Sequence, residues 1–287
     1  MKKTVVRWLG PELAANAEVE RLYYPSPTGY LFATNHLTQR LQLPFYGMVI
    51  LSIDGKPIRI SSQNEEYEHT ALALWAQDVR FLDVRSRFAV IAVNPFHPLF
   101  RAFTKIPGTG VLKLEYADYS EFIDLARKAL DNARFTHAEA LALHRGVMRV
   151  VHDTLPKVPA LDQRAQTLMK LLCDEPRSLL ASLADGLNLS YHRTSHLFAH
   201  TVGISMRTYQ LWQKLYLAGE PLMRGASLTE AAHSAGFVDS AHYSKAFQTA
   251  YGRSPTDMFR RRRVVVFFRN AFTEATIGES IRLVRTG

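Results

Sequence analysis

The sequence predicts an α+β chain in two parts. A β-rich N-terminal barrel or sandwich with following helices comes first. An all-α domain of two helix-turn-helix units joined by a long helix comes second. Three observations predict this. Short β-branched and aromatic runs recur roughly every ten residues between positions 30 and 114. A helix-turn-helix pattern occurs twice near the C-terminus at an almost constant offset. The surplus of positive charge lies in the half that holds the repeat.

The chain has 287 residues, 47% of them hydrophobic, which is enough for two domains with separate cores. Its formal net charge is +9. Residues 1–156 hold 18 Lys and Arg against 16 Asp and Glu, a net of +2, while residues 157–287 hold 17 against 10, a net of +7. A basic C-terminal half is what a polyanion-binding domain requires. Cys173 is the single cysteine, so an intramolecular disulfide and a multi-cysteine metal site are both excluded. It reads as a buried, inert thiol on an apolar helix face. The first residues have two lysines but no sustained apolar core, because Arg7 and Glu12 interrupt it. No run approaches the ~18 apolar residues of a membrane span. A cytoplasmic protein without membrane association is expected.

In the N-terminal half, residues 45–53 form an apolar run, followed by Asp54-Gly55 and then residues 57–60. An Asp-Gly pair between such runs predicts a hairpin. Residues 71–76, 79–84 and 88–93 continue the strand pattern. Helical spacing then returns. Phe122, Leu125, Ala126 and Ala129 make one stripe; Leu143, Val147, Val150 and Val151 make another. Each stripe is suited either to packing on the strands or to a dimer contact.

The two C-terminal copies span 179–205 and 227–255. Ser195, Phe198, Gly203 and Ser205 match Ser244, Phe247, Gly252 and Ser254 at an offset of 49. In the preceding helices Leu180 and Ala184 match Leu228 and Ala232 at 48, so the second turn is one residue longer. In that copy Leu228, Ala231 and Ala232 form an apolar stripe and Gly236 supplies the positive φ of the turn. Phe237 plugs the corner, Asp239 caps the next helix, and Tyr243, Ala246 and Phe247 face the core. Ser240, Ala241, His242 and Lys245 are left outside. The first copy repeats the scheme with Asn188, Leu189 and Ser190. Its outer face carries Tyr191, His192, Arg193, Ser195 and His196. These nine residues are the expected base-facing set. Two such helices in one basic segment point to DNA. Arg253 and the run Arg260, Arg261, Arg262 and Arg263 are the expected phosphate contacts.

The stretch AAHSAGFVDSAHYSKAFQTAYGRSP resembles the second helix-turn-helix signature of the AraC/XylS transcription regulators, and the resemblance covers about residues 161–260. It implies a sequence-specific regulator whose two recognition helices enter successive major grooves. It also implies a cupin-like N-terminal domain for sensing a small effector, dimerising, or both. Double-stranded DNA is the implied partner, with a small-molecule effector, RNA polymerase and a homodimer as further candidates. The expected domains are 1–156, a DNA-binding domain at 157–263 with units at about 180–201 and 228–251, and a tail at 264–287. Two departures stand out. Gly219 and Pro221 fall in the joining helix, where the proline either kinks the axis or ends the helix early. His196 stands where many relatives place arginine.

Other readings are a constitutive DNA-binding protein whose N-terminal half only dimerises, and a cupin metalloenzyme fused to a DNA-binding module. For a metal, His36, His69 and His97 with Glu66 and Glu68 were the candidates, but none stands at a paired-ligand spacing. His192 and His196 do stand four apart, a clamp spacing without an evident third ligand, and DNA contact accounts for them better. No phosphate loop, nucleophile elbow or Cys-His pair is present. The expectation is therefore a non-enzymatic protein with no cofactor and no metal. The apolar tail segment 264–272 is expected to pack back on the protein as a strand or short helix.

Overall fold

The computed structural model describes residues 21–256, apart from short breaks at 27, 36, 42–44, 63–64, 76–79, 133–135, 176–177, 224 and 252–253, together with 264–266. Strands dominate up to residue 113: β1 (Arg21–Ser26), β2 (Gly29–Thr34), β3 (Leu37–Leu41), β4 (Gly47–Ser52), β5 (Ile58–Ser62), β6 (Glu65–His69), β7 (Ala71–Trp75), β8 (Arg80–Val84), β9 (Phe88–Val93) and β10 (Val111–Lys113). A short helix α1 (Phe100–Phe103) interrupts them, and α2 (Ser120–Asp131) and α3 (His137–Thr154) follow. The C-terminal helices are α4 (Gln163–Asp174), α5 (Leu180–Leu187), α6 (Tyr191–Val202), α7 (Met206–Met223), α8 (Leu228–Ser234) and α9 (Ser240–Tyr251). A last strand, β11 (Val264–Val266), closes the described chain.

The strands form two sheets, in the orders β10-β7-β4-β9-β2-β1-β11 and β3-β8-β5-β6. They do not close into a barrel, so the sandwich alternative holds. Every residue of β4, β7 and β9 is buried, because this central part of the larger sheet is covered on both faces. The smaller sheet buries only one face. Ile58, Ile60, Leu82 and Val84 join the common core, whereas β6 is largely exposed.

The expected hairpin at Asp54-Gly55 is not formed. Gly55 does turn the chain with φ +70°. However, β4 pairs with β7 and β9, whereas β5 pairs with β6 and β8. The turn carries the chain from one sheet to the other. An Asp-Gly signal reports the bend and not the partner, since both strands need long-range neighbours to cover their apolar faces.

Most of each helical stripe is buried in the core, with Leu125 and Val150 partly buried. Phe122, Ala126 and Ala129 of α2 lie in the core with Leu143, Val147 and Val151 of α3. Gly146 is required there, since a Cβ would stand 2.1 Å from the Phe122 ring. Thr136 and Glu139 form a capping box that starts α3. The tail segment returns as expected: β11 pairs in parallel with β1, Arg21 opposite Val264. The sheet of the N-terminal half is thus completed by residues that follow the DNA-binding domain. A domain boundary drawn at 264 separates strands that are hydrogen-bonded neighbours.

His144 anchors α3 to the sheet. Its Nε2–H donates to the Ala92 carbonyl at 3.2 Å, and its ring meets that of His97 edge-on at 5.7 Å. His97 Nδ1 accepts from the Leu99 amide, so its proton sits on Nε2. Burial lowers the His144 pKa to about 4 and, with the neighbouring His144, lowers that of His97 well below its ordinary value. Both rings are neutral in the folded state at pH 7. The unfolded chain takes up these protons near pH 6.5, so stability should fall as pH drops from about 6.5 towards 4, by on the order of 1 kcal/mol per pH unit per histidine. Urea unfolding of His144→Gln, which keeps a donor for Ala92, should show a shallower slope in that window. An unchanged slope would mean that His144 is not held neutral.

Candidate nucleic-acid interface

Both helix-turn-helix units are built on the same backbone device. In the first, Asn188 takes φ +51°, the single positive φ of a non-glycine among the described residues. Leu189 N–H then donates to Ala184 O and Asn188 N–H to Asp185 O. In the second, Gly236 takes φ +77°, and Phe237 and Gly236 donate to Ala232 O and His233 O in the same pattern. This pair of bonds closes a helix end through a left-handed residue and reverses the chain within a few positions. The following helices start on side-chain caps. Ser190 Oγ accepts from the Arg193 amide, and Asp239 Oδ1 accepts from the His242 amide at 2.7 Å. Ser227 and Glu230 add a capping box to α8.

Phe198, Thr194 and Val202 turn α6 towards the core, and Tyr243, Phe247 and Ala250 do the same for α9. The opposite faces are free. Tyr191, His192, Arg193 and His196 are exposed on α6, with Ser195 half-buried beside them. Ala241, His242 and Lys245 are exposed on α9, with Ser240 half-buried. All nine expected base-facing residues therefore occupy the outward sides of the two helices. Arg253 and Arg260 to Arg263 lie outside the described residues. The side chain of Cys173 does too, so its expected burial is not described.

One exposed residue escaped the sequence reading. Val238 is 77% exposed immediately before the Asp239 cap. It is the extra residue of the second turn. The change of offset from 48 to 49 is its signal in the sequence.

The joining helix α7 holds the two units in one frame. Pro221 lies inside it, so the helix does not stop short of the proline. The helix passes Pro221 and ends in the same capping pattern, with Gly225 at φ +94° and the Ala226 amide bonded to the Pro221 carbonyl. The proline removes the bond that an amide at 221 would give to the Leu217 carbonyl, while its own carbonyl accepts from the Ala226 amide in the cap. Tyr209 meets Phe198 of the first unit edge-on at 5.3 Å. Lys214 Nζ donates to the Gly236 carbonyl at 2.8 Å and stands 5.7 Å from the Phe237 ring centre, gripping the second turn.

The same helix faces the sheets. Trp212 Nε1–H donates to the Tyr46 hydroxyl at 3.3 Å, and the Phe96 ring meets Trp212 at 5.4 Å and Tyr209 at 6.0 Å. Tyr46 is also hydrogen-bonded with Tyr251 at the end of α9; burial raises its pKa, and these two bonds lower it in part. Nearby, a Cβ at Gly203 would stand 2.9 Å from Thr104, so the end of α6 abuts the segment after α1. Sequence spacing gave no sign of this aromatic block, because its sheet side and its helix side are over a hundred residues apart.

The candidate metal ligands of the N-terminal half do not converge. His69 and Glu68 lie on β6, where Glu68 pairs with Arg59, while His97 is buried next to His144. Among the described residues no group of three or more His, Cys, Asp or Glu side chains is placed to hold a metal ion. His36 lies outside them. No helix among the described residues is long and apolar enough to cross a membrane.

Two capped units on one joining helix define a DNA-binding domain of helix-turn-helix class. Residues 183–261 match a family model described as a helix-turn-helix domain, and the paired unit is of the AraC/XylS type. The chain thereby carries the DNA-binding domain of a transcription regulator. Among solved structures it is similar to apo ToxT K231A from Vibrio cholerae, with 10% identity and a TM-score of 0.53 over 81% of this chain and 97% of that one. A second ToxT structure, from Vibrio cholerae O395, gives 11% identity and a TM-score of 0.49 over 80% and 95%. The AraC-like transcriptional activator CuxR gives 13% and 0.34 over 60% and 70%. At this identity the first likeness shows a shared fold. No curated protein sequence matches the chain.

Asn188 offers a direct check of the turn. Alanine at φ +51° should lower stability by about 1–2 kcal/mol, whereas glycine should cost nothing. Equal denaturant midpoints for Asn188→Ala and Asn188→Gly would show that the left-handed turn does not form.

Proposed function

We propose that the protein is a sequence-specific DNA-binding transcription regulator whose sheet domain adjusts DNA binding in response to a small effector. One observation carries the first half: two outward helix faces built on the same pair of turn hydrogen bonds and fixed to one helix. The 18 residues of α7 are about 27 Å long at 1.5 Å per residue, comparable with the ~34 Å repeat of successive major grooves. Arg193 and Lys245 are the charged members of the two faces, and the run Arg260 to Arg263 supplies phosphate contacts. A regulator working on DNA belongs in the cytoplasm, and this reading needs no catalytic group.

Selecting bound duplexes from a random pool tests it. The enriched site should hold two short elements about one helical turn apart. Arg193→Ala should relax one element and Lys245→Ala the other, each at a cost of about 1–3 kcal/mol. Failure to enrich any sequence would remove the proposal, and unchanged preference in both variants would remove these residues from base reading.

The second half rests on the aromatic block. Trp212 is in the middle of the helix that spaces the two units, and it packs directly on Tyr46 and Phe96 of the sheet domain. A change in the sheets therefore reaches both reading helices through one residue, and a constitutive dimerisation module would have no need of that contact. Tyr46→Phe deletes the hydrogen bond and leaves the ring. Affinity for the enriched duplex should change while the enriched sequence stays the same. Affinity constant within about 0.5 kcal/mol, the range of neutral substitutions, would uncouple the two domains. A compound that raises the melting temperature of the full chain and shifts DNA affinity would identify the effector class.

A further inference from the structure

His192 and His196 are exposed on α6, one turn apart, with their Nε2 atoms 3.3 Å from each other and ring centres 4.4 Å apart. For bond lengths of 2.0–2.1 Å, two nitrogen ligands of a tetrahedral zinc ion are separated by about 3.3–3.4 Å. The geometry points to a two-histidine clamp for a divalent transition-metal ion, of the imidazole-preferring kind such as Zn²⁺, on the DNA-facing side of the first recognition helix.

The chemistry follows from the donors. Neutral imidazole is a ligand for zinc, nickel and copper, and hard cations such as Mg²⁺ prefer oxygen. Two imidazoles on one rigid helix make the second bond intramolecular, so the pair binds far better than either ring alone. Water completes the coordination sphere on the exposed side. His200 continues the series by one more turn, but eight residues separate it from His192, about 12 Å along the axis, which is too far for one ion to span. Arg193 beside the pair is a like charge that weakens cation binding without blocking it.

Occupancy has a consequence for recognition. Both nitrogens belong to the outward face, and an ion that takes them leaves neither available to a base edge. It also places a hydrated charge in front of the helix. Phosphate attraction survives this, but base reading by α6 does not. Zn²⁺ thus converts a selective DNA binder into a less selective one. This consequence rests on the reading of α6 as a groove-entering helix; the coordination itself does not.

Two measurements on the full chain without a histidine tag separate these points. Titration of Zn²⁺ against a chromophoric chelator should show one site in the wild type. His192→Gln and His196→Gln should each weaken it by roughly 10²-fold, as expected for loss of a chelating partner. His200→Gln should leave it intact. Equal zinc binding in the wild type and in both pair variants, or loss in His200→Gln alone, would overturn the clamp. In the second measurement, Zn²⁺ at saturating concentration should lower the ratio of affinities for the enriched and a scrambled duplex several-fold in the wild type. The ratio should not respond in His192→Gln. A zinc site that forms without changing that ratio would overturn the regulatory consequence, and failure to enrich any duplex without metal would instead count against DNA recognition.

Discussion

The packing of Trp212 is the constraint on which the arrangement of this molecule depends. The residue is buried in the middle of α7, with its indole N–H on the Tyr46 hydroxyl and its ring against Phe96 and Tyr216. A buried indole needs both an apolar cavity and an acceptor for its single donor. Here the sheet domain supplies the acceptor. One turn away, Tyr209 meets Phe198 of the first unit, and Lys214 holds the turn of the second. Sheet, first unit and second unit are therefore all referred to one helix.

Repetition with local variation is the second theme. The same left-handed turn is made once by Asn188 and once by Gly236, and the same capping role is played by Ser190 and by Asp239. The units differ on their outer faces. The first presents Tyr191, Arg193 and a histidine pair, whereas the second presents Lys245, His242 and the extra apolar residue Val238. Similar scaffolds thus carry two chemically different outer faces on one chain.

The N-terminal half shows how burial changes the chemistry of ordinary residues. His97 is a candidate metal ligand by sequence alone, yet the structure buries it beside His144, which ties α3 to Ala92. The β11 strand completes the larger sheet from the far side of the DNA-binding domain. These long-range pairings draw the two halves together more closely than a linear division of the chain suggests.

What the sequence determined by itself was everything governed by neighbours along the chain. Positive φ at Asn188 and Gly236, the caps at Ser190 and Asp239, and the outward faces of α6 and α9 all follow from local backbone chemistry and helical period. Tertiary structure alone decided which strands met. Asp54-Gly55 announced a turn but not that it would cross between sheets, because the partners of β4 and β5 are chosen by the area they bury. It also decided that α7 continues past Pro221 to Met223. The meeting of Tyr46 with Trp212, 166 positions apart, was decided there too. No periodicity carries such a contact; only the assembled core brings a donor and an acceptor so distant in sequence to one point.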